Sequence, residues 1–220
     1  MTGVPMAAAA LAGVPAGVQA QGAWVGRRQL FVRFAGEAET ATMYTATALV
    51  REIERQLSRS KFHSISIGGR DPLVNLHFLL TALEQARPAL PVMLDTDGQR
   101  PEALAMLAPY LSLAQVTVEF VGPDSMRAAA LETLATATGA KCATALVLCP
   151  REDTSDGQLL RLVEQAHGVS PEVQIVIHPP TPSGEQTMLD RRWSMLLEQA
   201  MATHADARLA LRLAPPAGLR

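Results

Sequence analysis

Three side chains able to do acid–base or metal chemistry stand where short β-rich runs end: Asp95, Glu119 and His178. Carboxylate and imidazole together are the donor set of a mononuclear metal site, and strand ends are where parallel α/β folds gather such groups. Around them stand Gly36 and Glu37, Gly68 to Asp71, Asp97 and Gly98, and Arg151 to Asp153. A plainer reading is open at each position: His178 precedes two prolines and can simply end a strand, and an acidic strand-end residue can cap the next helix. His63, His77, His167 and His204 have no H-x-x-x-H or H-E-x-x-H relation, so no zinc motif forms on a helix. Neither a G-x-S-x-G elbow nor a G-x-x-x-x-G-K-[ST] loop occurs.

These residues need elements to hold them. Gln29 to Phe34, Phe62 to Ile67, Pro91 to Asp95, Gln115 to Phe120, Ala143 to Cys149 and Val173 to Ile177 read as strands. Between them, apolar stripes mark helices: Leu49, Ile53 and Leu57 within 42–58, then Leu76, Leu79, Leu80 and Leu83, then a short helix at 102–108. A helix opens at Pro123-Asp124, and another follows Ser155 and Gln158, which have the spacing of a capping box. Leu189, Trp193, Leu196, Leu197 and Ala200 mark a sixth helix, with Arg191 and Arg192 on its solvated edge, and Leu209 to Leu213 is a candidate last strand. Strand and helix in strict alternation predict a parallel sheet, because parallel neighbours need helical crossovers. A partial barrel and an open doubly wound sheet both satisfy the pattern.

At 220 residues with 48% hydrophobic and 18% charged residues, the chain suits one domain with one sizeable core. The net charge of −2 supplies no field for a polyanion, so no nucleic-acid partner is expected. No apolar run approaches the roughly 20 residues of a membrane span. Residues 1–18, rich in Ala, Gly, Val and Pro, are expected to be a flexible segment that orders only on binding, with 19–220 as the single domain. No Lys or Arg precedes Arg27, which argues against a secretory leader and for a cytoplasmic location. On one extended segment Cys142 and Cys149 would stand roughly 23 Å apart at about 3.3 Å per residue, too far to bridge; both are expected to be buried thiols.

Gln19-Ala20-Gln21-Gly22-Ala23-Trp24-Val25-Gly26-Arg27 followed by Phe31-Val32-Arg33-Phe34-Ala35-Gly36 resembles the opening of 7-carboxy-7-deazaguanine synthases, small radical S-adenosylmethionine enzymes. That family opens with Q-G-E-G and F-V-R-L-x-G and runs directly into C-x-x-x-C-x-x-C. Gly68-Gly69-Arg70-Asp71-Pro72-Leu73 looks like its G-G-E-P-L with one residue inserted, and Leu94-Asp95-Thr96-Asp97-Gly98 is similar to its L-E-T-N-G. The resemblance implies a partial (β/α)6 barrel of the radical-SAM type with parallel strands. It also implies a [4Fe–4S] cluster, and there the sequence departs: the three cluster positions fall on Glu37, Ala41 and Tyr44, none of which supplies a thiolate.

The strand ends and the resemblance together place Gln19, Gln21, Gly68, Gly69, Arg70, Asp71, Asp95, Asp97, Glu119 and His178 around a possible ligand. Arg70 would bring positive charge toward an S-adenosylmethionine ammonium and disfavour that ligand. Glu37 and Glu39 are expected to start a helix, where its dipole favours carboxylates. The leading expectation is a catalytically inactive, cofactor-free pseudoenzyme that binds a protein partner or a second copy of itself. The alternatives are a metal-assisted or acid–base enzyme using Asp95, Glu119 and His178, and a sensor of a purine- or pterin-like small molecule.

Overall fold

The structure is a computed structural model and describes residues 7–180 and 191–213. Strands β1 (Ala8–Gly13), β2 (Ala16–Val18), β3 (Arg28–Phe34) and β4 (Thr42–Thr45) precede helix α1 (Ala46–Arg59). Then follow β5 (Ser64–Gly69), α2 (Leu76–Ala86), β6 (Val92–Thr96), α3 (Pro101–Leu107), β7 (Leu113–Glu119), α4 (Asp124–Gly139), β8 (Ala143–Cys149), α5 (Asp156–Val169), β9 (Gln174–Ile177), α6 (Arg191–Thr203) and β10 (Arg208–Leu209).

The fold is α/β with a mostly parallel sheet. From β3 through β5, β6, β7, β8 and β9 to β10 the strands run parallel and lie in chain order. This order decides between the two architectures the sequence allows. A doubly wound sheet reverses its order once and so places helices on both faces. Unreversed order with right-handed crossovers puts every helix on the same face. Each helix accordingly packs beside the next from α1 to α6. The sheet is an open, partial barrel whose outer face carries the helices.

Alternation along each strand assigns the two faces. Leu94, Val116, Leu146 and Ile175 are fully buried on the outer face, in the clusters beneath the helices. Local chemistry fixes the helix starts. Thr45 accepts from the Ala48 N–H at 3.2 Å to open α1, and Ser155 with Gln158 closes the expected capping box on α5. Arg192 does not lie on a solvated edge: its Nε donates to Asp156 at 2.8 Å and its guanidinium covers Trp193, tying α6 to the start of α5. Leu189 lies outside the described residues.

Two expectations about the start of the chain are overturned. Residues 8–18, expected to be flexible, form β1 and β2 along the free edge of β3, with Ala9, Leu11 and Val14 buried in the core. Small residues alternating with Leu and Val can pair as a strand wherever a neighbouring edge offers unsatisfied backbone groups, and β3 offers one. Thr42–Thr45, expected in a helix, pairs antiparallel with β1 as β4. Thr42 and Thr45 are β-branched, and the helical stripe begins only after the Thr45 cap.

Candidate active-site mouth

The inner face of the sheet is polar where a plain core would be apolar. Register places Asp95 opposite Gln115, and Met93 opposite Leu113, on this face. The Gln19–Arg27 segment is folded across it. Gln19 and Arg27 pair through Gln19 N–H to Arg27 O at 2.9 Å and Gly26 N–H to Gln19 O at 2.9 Å, closing the segment into a loop. Ala23 and Trp24 of that loop pack on Met93, Leu113 and Ala145, and Trp24 stands edge-on to His63. Gly22 must be glycine: its φ is +81° and a Cβ would lie 1.9 Å from Gln115 Oε1.

Two buried side chains clamp the loop. Gln115, fully buried, accepts from the Ala23 N–H at 3.0 Å. His178, 2% exposed, accepts from the Gly22 N–H through Nε2 at 2.8 Å. Its Nδ1 lies 2.6 Å from Ala210 O, and a carbonyl only accepts, so Nδ1 carries the proton and the tautomer is set. Burial pulls the His178 pKa below its ordinary value; the Ala210 bond opposes this, and the charges of Arg212 and Arg208 add to it.

Beyond the loop, cavities lined by described residues ring the carboxyl ends of the strands. A cavity of 340 Å³ is walled by Gln21, Gly69, Asp95, Asp97, Thr117 and Glu119, among others. A more apolar cavity of 560 Å³ runs along β2, with Phe31, Arg33, Gly68 and Leu213, and shares Gly69 and Asp95 with the first. The third, 250 Å³, lies between Glu119, Cys149, Arg151, His178 and Arg212. Gln19 lines the β2 cavity, while its backbone does the work of closing the loop.

Asp95 is the electrostatic centre of the mouth. Burial pushes its carboxyl above the usual carboxylate range. The Thr117 hydroxyl, donating to Oδ1 at 2.7 Å, opposes the shift, as do the Gln115 and Gln21 amides and the charge of Arg212. Among the described residues Gln115 Nε2 itself finds no hydrogen-bond partner of ordinary geometry. A carboxyl whose pKa is raised by folding binds its proton more tightly in the folded state, so its charged form opposes folding at neutral pH and the opposition is relieved as pH falls. Asp95→Asn, which keeps an acceptor for Thr117, is therefore expected to raise the melting midpoint at pH 7 by a few degrees, at about 2–4 °C per kcal/mol for a chain of this size. The gain should shrink at pH 4; a variant less stable than wild type at pH 7 would contradict this account of Asp95.

The structure brings together only part of the expected site. Gly68, Gly69, Asp95, Asp97, Glu119, Gln19 and Gln21 line the mouth cavities. Arg70 and Asp71 do not. Arg70 turns outward to Glu37 at 2.7 Å, both side chains well exposed, and Asp71 makes a bidentate pair with Arg100. The repulsion expected between Arg70 and an ammonium ligand in the mouth accordingly has no structural basis.

Nor do Asp95, Glu119 and His178 form the three-ligand metal site held open as an alternative. Both His178 nitrogens are already engaged, the Glu119 carboxylate is largely exposed and 3.8 Å from Arg212, and Asp95 bonds Thr117. Among the described residues no group of three or more His, Cys, Asp or Glu side chains is placed to hold one ion. Sequence reading missed Gln115 and Thr117. Their signal is the run Gln115-Val-Thr-Val-Glu119, in which polar residues alternate with valine and so mark a polar inner face.

The residues at the cluster positions do not fit an iron–sulfur cluster. A turn at 36–41 joins β3 to β4, and Glu39 closes it by accepting from the Gly36 N–H at 2.9 Å and from Arg33 at 2.7 Å. The dipole of a helix start plays no part, since α1 begins only at Ala46. Glu37 pairs with Arg70, Ala41 is exposed, and Tyr44 lies on β4 against the core. Cys142 directly precedes β8 and Cys149 ends it; burial pushes both thiols up, and Arg212 Nη2 lies 3.0 Å from Cys149 Sγ.

No family model matches the chain. Over 132 residues it is 30% identical to the 7-carboxy-7-deazaguanine synthase of Methanothermobacter thermautotrophicus (strain Delta H), covering 53% of this chain and 52% of that protein. The chain is thus distantly similar to that enzyme and spans about half the length of this curated relative. A truncated 3-deoxy-D-arabino-heptulosonate 7-phosphate synthase from Thermotoga maritima aligns over 74% of this chain and 57% of its own, at 13% identity and a TM-score of 0.44. No conclusion about the site follows from so distant a likeness. Among the described residues no helix is long and apolar enough to cross a membrane.

Proposed function

We propose that this chain is a degenerate radical-SAM-like protein that performs no radical chemistry and binds a small polar molecule at its barrel mouth. The observation that carries this reading is the contrast at the strand ends. The cluster positions are taken up by a tight turn and by β4, while the neighbouring mouth keeps two adjoining cavities walled by Asp95. Pockets that join apolar walls to a few convergent polar groups are the usual form of a small-molecule site. Thr117, Gln21 and Asp97 supply hydrogen-bonding groups around Asp95, and Phe31 and Val18 supply apolar surface. Because the relative is named for a deazaguanine product, a flat purine- or pterin-like heterocycle is the first class to test.

The test is thermal stabilisation by guanine, 7-deazaguanine and biopterin, compared with Asp95→Ala. A ligand that binds only the folded state raises its stability by mass action, by about 2.7 kcal/mol at a hundred times its dissociation constant. Stabilisation of the wild type and not of the variant is expected; equal stabilisation of both, or of neither, counts against the mouth as the site.

A second reading keeps the protein-partner role. Among the described residues β4 is the last strand of the sheet, and Met43 on it is 67% exposed. An unpaired strand edge beside an exposed apolar side chain can accept another chain. A concentration-dependent change in sedimentation, abolished by Met43→Lys, would favour this role.

A further inference from the structure

We infer that His178 is a proton-sensitive latch: neutral, it positions the Gln19–Arg27 loop over the inner face, and protonated, it releases the loop at Gly22. This deepens the proposed function by naming a control on the same mouth and rests on that reading only for the consequence to a bound ligand.

The hydrogen-bond inventory carries the argument. Neutral His178 offers one donor and one acceptor, and the structure uses each once: Nδ1–H to Ala210 O at 2.6 Å, and Nε2 from the Gly22 N–H at 2.8 Å. Imidazolium has two donors and no acceptor. A second proton sets Nε2–H against the Gly22 N–H with nothing between them, and turning the ring changes nothing, because Ala210 O is the only acceptor of the pair. A buried site that fits one charge state this closely gives way when that state is lost.

The surroundings set the balance. Burial first, and then the charges of Arg212 and Arg208, favour neutral His178, against the opposing bond to Ala210 O. Glu119 at the end of β7, 3.8 Å from Arg212, lines the same cavity, and Cys149 and Arg151 complete its wall from β8 and the residues after it. The loop meets the ring through the Gly22 backbone N–H. Burial lowers the folded-state pKa, so stability is intact above the ordinary histidine value and is lost as pH falls below it toward the folded-state pKa.

Release acts on the mouth through the neighbours of Gly22. Gln21 lines the cavity beside Asp95, and Ala20 O accepts from the Leu213 N–H at 2.9 Å on the wall of the β2 cavity. Arg208 also holds the loop, donating to Ala23 O at 3.0 Å. Movement at Gly22 therefore alters both cavities at once. His178 is in this sense a positioning residue for the mouth.

The experiment is amide hydrogen exchange between pH 7.5 and 5.0 on the whole chain without ligand, corrected for the intrinsic pH dependence of exchange. The segment 19–27 is expected to lose about tenfold of its protection on acidification, while β7 and β8 keep theirs. His178→Gln should show no such loss, since its amide accepts from Gly22 and donates to Ala210 at every pH. Unchanged protection of 19–27 in the wild type, or an equal loss in His178→Gln, overturns the latch. Should His178→Gln fail to fold, wild-type NMR decides: the Gly22 amide must titrate with the His178 ring, and a Gly22 amide that stays fixed while the ring titrates overturns the proposal. The readout needs no ligand, so a failed latch leaves the cavity reading standing, and failed ligand binding leaves the latch standing.

Discussion

Anaerobic reconstitution with iron and sulfide is expected to leave the purified chain colourless and without stoichiometric iron. A [4Fe–4S] cluster is held by cysteine thiolates, and this chain has two cysteines in all. One directly precedes β8, beside the Leu111 carbonyl, and the other ends it, beside Arg212. Buried thiols with raised pKa values are poor sources of thiolate. At the positions where the resemblance would place the ligands, Glu37 is drawn to Arg70 and Tyr44 is pinned in a strand pair with Ala9. Iron analysis and the visible spectrum after reconstitution check this. About four irons per chain with a broad sulfur-to-iron absorption would refute the proposed function at its root.

Gly69→Ala is expected to be among the most destabilising single substitutions outside the hydrophobic core. Gly69 has φ +98°, and a Cβ there would lie 2.3 Å from the Phe34 carbonyl oxygen and 2.8 Å from its nitrogen. Both contacts are backbone, so no side chain can move aside. Phe34 is itself buried and stands edge-on to Phe78 beneath α2, which anchors β3 against retreat. The end of β5 must then part from β3, losing the Arg70 N–H to Phe34 O bond at 3.2 Å, or its backbone must be strained. Together these cost about 2–4 kcal/mol, a large share of the roughly 5–15 kcal/mol that holds a domain folded. Gly26→Ala is the comparison: its φ is +81°, but among the described residues no atom lies within 4 Å of the added carbon, so the conformational cost of about 1 kcal/mol is what remains. Denaturant unfolding of the two variants measures the difference; equal midpoints would mean that β3 and β5 do not approach so closely.

Glycine 69 also shows how the resemblance and the packing divide a motif between them. Gly68 and Gly69 read as a ligand-facing pair in sequence, and both do line the mouth. Yet the stronger demand on Gly69 is the approach of its neighbour strand, which no local pattern announces. Arg70 and Asp71, adjacent in the same motif, leave the site altogether because Glu37 and Arg100 lie within reach on the outside. The strand ends at Gly69 and the backbone turns away, with Asp71 in the left-handed region at φ 38° ahead of a 3-10 turn, so both side chains are carried off the inner face.

The sequence by itself determined the alternation of strands and helices, the parallel sheet, the capping box of α5 and the want of cluster ligands. Each of these is local or compositional: apolar periodicity, a Ser and a Gln three residues apart, a count of cysteines. Only the tertiary structure decided that the sheet is an unreversed partial barrel, because strand order depends on which edges meet and not on any one segment. It alone turned residues 8–18 from a flexible lead into β1 and β2, since β3 had an open edge to satisfy. It also withdrew His178 from a metal site and gave it to Gly22 and Ala210, 156 and 32 residues away in the chain. His178 pairs with the groups that the fold brings within hydrogen-bond reach, because a buried polar atom left unpaired costs the full loss of its hydration, and those groups are distant in the chain.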